Sequence, residues 1–190
     1  MKALVVYESL FGNTEQVARA IASGLSEHLV VDLLEVAKAP PVFIEPVELI
    51  VVGGVSAIMH GALAMTQDLD VVHRMTSSNV ERLAAVLAGL DAVVRDLSGR
   101  RLPPQAAHLV SGGQLNLSTN LGPLDLLGRL HDGRGYEELL PHSEMLSDGR
   151  RRLRVVDLPT LIEIKISAGR AKDRLVVPML LALLRERERR

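Results

Sequence analysis

The sequence has no cysteine and no tryptophan in 190 residues. The missing cysteine excludes disulfides, thiolate metal sites and cysteine nucleophiles, and it fits a reducing compartment. Aromatic residues make up 2% of the chain, so the 47% of apolar residues rests on Leu, Val and Ala. No apolar run approaches the roughly 18 residues that a membrane-spanning helix needs. Met1-Lys2 leads straight into a strand-like run rather than a signal peptide. A soluble, cytoplasmic protein with no membrane partner is therefore expected. The formal net charge of −1 gives no global pull toward nucleic acid. Six histidines are present, without a spacing that pairs them on a helix face, so a zinc site is not expected. The length suits one domain or two small ones, with a sizeable core.

The most informative stretch is Leu49 to Val72, LIVVGGVSAIMHGALAMTQDLDVV. Leu49–Val52 is too short for a helix and rich in β-branched residues, so it reads as a buried strand. Gly53-Gly54 ends it, where the backbone turns sharply or leaves room for a ligand. Val55–His60 reads as a short helix. In Asp68-Leu69-Asp70-Val71-Val72 the two acids alternate with apolar residues. On a strand they point to one side while Leu69 and Val71 point to the core. Adjacent carboxylates repel unless a cation sits between them, and hard oxygen ligands suit Mg²⁺ or Mn²⁺. The same pattern is also that of a solvated strand end.

The N-terminal part reads as a βαβ unit. Lys2–Tyr7 is a buried parallel-type strand, and Glu8–Thr14 is a polar turn. A helix follows from Thr14, which suits an N-cap, with Val17, Ala18, Ile21, Ala22 and Leu25 on its apolar face. Leu29–Val36 is a second strand. Ala39–Pro46, with three prolines, is an extended connector. A strand, a polar loop and a helix N-terminus together suit an anion.

Two resemblances follow. Apolar–Gly53–Gly54, then Asp68–Leu69–Asp70–Val71, resembles the signature of the polymerase-β-like nucleotidyltransferases, in their small single-domain bacterial branch. The stretch YESLFGNTEQVARAIASGL, followed by a strand ending in VVGG, resembles the N-terminal part of a flavodoxin. There the loop Ser9, Leu10, Phe11, Gly12, Asn13, Thr14 would wrap the phosphate of FMN. After Gly54, however, no further flavin loops follow, so tight FMN binding is not expected. The resemblances meet on Leu49–Gly54, like a recombination, natural or made in a laboratory. The implied fold is α/β: a flavodoxin-like βαβ unit (residues 1–54) extending the mixed sheet of a nucleotidyltransferase domain (residues 49–190). The implied sheet order runs from the second strand through the first to Leu49–Gly54, Asp68–Val72 and Leu124–Leu127, parallel over the first three strands and antiparallel between Leu49–Gly54 and Asp68–Val72.

The rest of the chain follows the transferase pattern. Asn79–Leu90 reads as an amphipathic helix capped by Ser78 or Asn79. Ala92–Leu97 is a strand or the continuation of that helix, Ser98–Ala107 a loop, and His108–Leu117 a hairpin or bulged strand around Gly112-Gly113. Gly135–Leu140 starts a short helix, and Ser143–Val156 is a hairpin turning at Asp148-Gly149, with Arg150, Arg151, Arg152 and Arg154 on its outer strand. Asp157-Leu158-Pro159 caps a helix over Thr160–Ala168. Gly169 interrupts it before the final helix.

By the transferase resemblance, Asp125, in a strand after the paired acids, is the third metal carboxylate; on its own it equally suits an edge strand facing water. The segment LIEIKISAGRAKDRLVVPMLLAL resembles the family's closing segment. It implies that Lys165 faces a triphosphate while Arg170, Lys172 and Asp173 line the site; alone, Lys165 reads equally as a lysine on a half-buried helix. The resemblance implies nucleotidyl transfer with divalent ions on Asp68, Asp70 and Asp125, and phosphate contacts from Gly53, Gly54 and Ser56. The substrate would be a nucleoside triphosphate such as ATP. The acceptor would be RNA, including transfer RNA, a protein hydroxyl or a small molecule. Some members of the branch belong to toxin–antitoxin systems. The alternatives are an FMN- or phosphate-binding protein and an inactive chimera.

Overall fold

The computed structural model describes residues 2–7, 13–28, 30–35, 46–96, 100–147 and 152–189. The chain divides into two compact units, Met1–Glu45 and Pro46–Arg190. In the first, β1 (Lys2–Tyr7) pairs in parallel with β2 (Val30–Glu35), and α1 (Asn13–Ser26) makes the crossover. This is the expected βαβ arrangement, since parallel neighbours need a long connection. Helix α1 begins at Asn13, which places Thr14 inside the first turn and not at the cap. Its buried positions are Ala18 and Ala22, while Val17 and Ile21 are more than half exposed. The residues Ser9–Gly12 of the flavodoxin-like loop lie outside the described residues, as do the side chains of Asn13 and Thr14.

The second unit is built on a seven-stranded mixed sheet in the order β5-β6-β7-β4-β3-β9-β8. The strands are β3 (Leu49–Val52), β4 (Leu69–His73), β5 (Val93–Val94), β6 (Gln114–Thr119), β7 (Gly122–Leu127), β8 (Ser143–Ser147) and β9 (Arg152–Val156). As expected, β3 and β4 run antiparallel, and β7 lies beside β4. The anticipated sheet order fails at β3. Its other edge pairs in parallel with β9, through Val51 and Val155, so β3 keeps no free edge for β1. The expected βαβ extension through a shared strand is therefore not formed.

Alternation along the strands divides the apolar residues between two faces. Val51, Val71, Leu117, Leu126 and Val155 form one core. It is covered by α3 (Ser77–Gly89), through Val80, Leu83 and Leu87, and by Leu109 of α4 (Ala106–Val110). Ile50, Val52, Val72 and Val156 form the other, under α2 (Gly53–Met59), α5 (Tyr136–Leu139), α6 (Leu158–Ala168) and α7 (Ala171–Glu188). The hairpin of β8 and β9 is antiparallel as expected, and its turn at residues 148–151 lies outside the described residues, with Arg150 and Arg151.

Two local expectations are corrected. Helix α3 takes Thr76 as its N-cap residue, without a side-chain cap bond. Asn79 is instead buried in the first turn. Its amide donates to the carbonyls of Glu48 (3.0 Å) and Arg74 (2.8 Å), and its Oδ1 accepts the Glu48 N–H (2.7 Å). Residues 106–110, expected as loop and hairpin, form α4, so β6 begins only after Gly112-Gly113. Ala92–Leu97 contributes the two-residue strand β5. The Asp157 cap holds: its carboxylate accepts the Thr160 N–H at 2.8 Å. Among the described residues no helix is long and apolar enough to cross a membrane.

Candidate metal and nucleotide site

Asp70 lies on β4 and Asp125 on β7, and the parallel register places them opposite each other. Asp68 immediately precedes β4. Alternation turns Val71 inward, 1% exposed, and leaves the acids on the opposite side. Each of the three acids offers a carboxylate oxygen, all within 4.8 Å of one another. The structure thus brings together the three carboxylates that the sequence singled out. Three hard anionic donors, without nitrogen or sulfur, fit a small divalent cation such as Mg²⁺ or Mn²⁺.

The environment separates the acids. The Thr66 hydroxyl donates to Asp68 Oδ1 at 2.7 Å and holds its carboxyl below the usual carboxylate range. Burial, followed by the neighbouring charge of Asp68, pushes Asp70 above that range, against the pull of Lys172. Asp125 is 6% exposed; Arg95 donates through Nη2 to its Oδ1, and Gln114 donates to its Oδ2 at 3.2 Å.

The glycine pair has a steric reason. Gly53 has φ +68°, and a Cβ there would lie 2.0 Å from Asp70 Oδ2. A Cβ on Gly54 would lie 2.6 Å from the Thr66 side chain. The turn from β3 into α2 therefore runs directly against the acids, and the Gly54 backbone N–H favours the charged form of Asp70.

A cleft of about 340 Å³ opens beside this turn. Gly53, Gly54, Asp70, Lys165, Arg170 and Lys172 are among the residues that line it. Asp173 lines it too, and accepts a hydrogen bond from Lys165 Nζ at 2.9 Å. Both partners are buried, so the lysine charge is already matched by an acid of the cleft wall. Gly169, left-handed at φ +61°, ends α6 and carries Arg170 and Lys172 to the cleft. Ser56 is placed differently. It is fully buried in α2, is not among the cleft-lining residues, and its Oγ has no hydrogen-bond partner among the described residues.

Thr66, Gln114 and Arg95 were not anticipated from the sequence. Thr66 stands two residues before Asp68, a spacing at which a hydroxyl often bonds locally. Gln114 and Arg95 have no such local signal, because strand pairing alone brings them to Asp125.

No protein-family model matches the chain, and no curated protein matches it. Among solved structures, the chain is similar to the crystal structure of a Thermotoga maritima protein described as a candidate nucleotidyltransferase. The two share 13% identity over 93% of this chain and 97% of that one, with a TM-score of 0.44.

Proposed function

We propose that this protein is a metal-dependent nucleotidyltransferase that uses a nucleoside triphosphate. The observation that carries the reading is the convergence of Asp68, Asp70 and Asp125 within 4.8 Å beside the Gly53–Gly54 turn. Buried or half-buried carboxylates at that spacing are costly without a cation to balance them. Asp68, Asp70 and Asp125 would hold Mg²⁺ or Mn²⁺, which supplies Lewis acidity toward phosphate oxygens when bound. Arg170 and Lys172, at the cleft wall, supply charge for the phosphates. The tight glycine turn leaves room for the Asp70 and Thr66 side chains to close against the backbone. The Lys165–Asp173 pair fixes the start of α7 against α6 and so sets where Arg170 and Lys172 stand.

The chemistry is displacement at the α-phosphorus: an acceptor hydroxyl loses its proton to solvent, its oxygen forms the new bond to phosphorus, and the bond to the α,β-bridging oxygen breaks as pyrophosphate leaves. The acceptor is an RNA end such as that of transfer RNA, a protein hydroxyl or a small molecule.

The test uses the full chain with each of the four triphosphates labelled at the α- or γ-phosphate, Mg²⁺ or Mn²⁺, and pools of transfer RNA or protein. Transfer of the α-label alone is expected, with loss of at least a hundredfold in D68N and D70N. Transfer of the γ-label would make the chain a kinase and end this reading.

A further inference from the structure

Arg95 stands beside the carboxylates without belonging to the sequence signature. It directly follows β5, and its backbone N–H donates to the Asn116 carbonyl on β6 at 2.8 Å. Asn116 is in register with Asp125, and Asp125 with Asp70. Residues opposite one another on neighbouring strands lie side by side on one face. Arg95, Asn116, Asp125 and Asp70 therefore make a row that runs from the end of β5 across β6, β7 and β4. Along this row the guanidinium reaches past Asn116 to Asp125 Oδ1. Gln114, two residues before Asn116 and so on the same face, takes the other oxygen. Asp125 thus has both oxygens engaged by side chains. The positive charge of Arg95 also reaches Asp68.

We propose that Arg95 is a resident cation of the site, taking on Asp125 the place of a second divalent ion, so that the cluster binds one ion only. This rests on the nucleotidyltransferase reading above. Arginine is the side chain suited to this place, because its planar head offers several donors in a fixed fork that matches carboxylate oxygens. One guanidinium and one divalent ion balance the three carboxylates. A second divalent ion on Asp125 would have to sit against the guanidinium, with Arg170 and Lys172 adding their charge from the cleft wall.

The test counts ions. Mn²⁺ is titrated into the full chain, alone and with α,β-methylene-ATP, and bound ion is followed by electron paramagnetic resonance and calorimetry. One Mn²⁺ per chain is expected for the parent and for R95K. Two are expected for R95M, with the spin coupling of neighbouring ions; R95Q serves the same purpose should R95M not fold. Two ions in the parent would overturn the inference and leave the transferase reading standing. A single ion in both the parent and the neutral variant would do the same. No ion in any protein would overturn both.

Discussion

Replacing Asp70 by Asn separates two opposite effects of one carboxylate. In the metal-free protein Asp70 is half-buried and faces Asp68, so its charge works against the fold. At 4.8 Å, the outer limit of the cluster, two unit charges repel by about 3–4 kcal/mol at an effective dielectric of 20. Water, Lys172 and Arg170 reduce this, and a net gain on the order of 1 kcal/mol is expected for D70N without metal. With metal the sign reverses. An ion at a hundred times its dissociation constant stabilises the parent by about 2.7 kcal/mol. At roughly 2–4 °C per kcal/mol for domains of this class, that raises Tm by about 5–10 °C.

The assay is thermal unfolding of both proteins at pH 7.5, in EDTA and in saturating Mg²⁺ or Mn²⁺. The parent curve should move upward with metal. D70N should start higher, by a few degrees, and move little. Equal metal responses in the two proteins, or a D70N that is less stable in EDTA, would refute the reasoning.

Acid should weaken metal binding early. The folded Asp70 has its pKa raised above 3.8, so metal-dependent stabilisation is lost as pH falls through that raised value, while the penalty of the unbound carboxylate disappears over the same window; pH titration of the Mg²⁺-induced Tm shift checks this, and D70N should lose the dependence. Gly53→Ala should cost about 1–2 kcal/mol for the left-handed backbone alone and, by displacing Asp70, weaken Mn²⁺ binding at least tenfold in calorimetry. Lys165→Met should destabilise by about 3–5 kcal/mol by stranding the buried Asp173, and K165M/D173L should recover much of it in denaturant unfolding. Asn79→Ala should cost about 2–4 kcal/mol, since the Glu48 N–H and the Arg74 carbonyl lose their partner, while the Glu48 carbonyl keeps only the Arg74 N–H.

The parts of the site written in local pattern were legible. Gly53-Gly54 before alternating acids reported a turn, a strand and a shared face, and the antiparallel pairing of β3 and β4 came with the transferase resemblance. Lys165, expected to face a triphosphate or to lie on a half-buried helix, is buried against Asp173. The cap at Asp157 was visible as well. What local pattern does not carry is the choice of distant neighbours. The partner of β3 was misread because the β1–α1–β2 unit and the β8–β9 hairpin both offer a parallel strand. Only long-range packing selects Val155. Asn79 reads as a cap by residue type, yet its amide is used on Glu48, far off in sequence. Ser56 was assigned to phosphate by its position after the glycines, whereas the helical turn there rotates it inward.

The pairing of Val51 with Val155 also sets an order of events in folding. β3 lies inside the sheet, but the strand on its far side is made about a hundred residues later. Until β9 and its hairpin partner arrive, one edge of LIVV is an open, strongly apolar template. A chain cut short before residue 152, or paused there on the ribosome, would present that edge to other chains. Such non-local closure slows folding and lengthens the time at risk of aggregation. The last forty residues therefore act as the closing piece for a strand near the start of the unit, and C-terminal truncations should fail by aggregation well before they fail in chemistry.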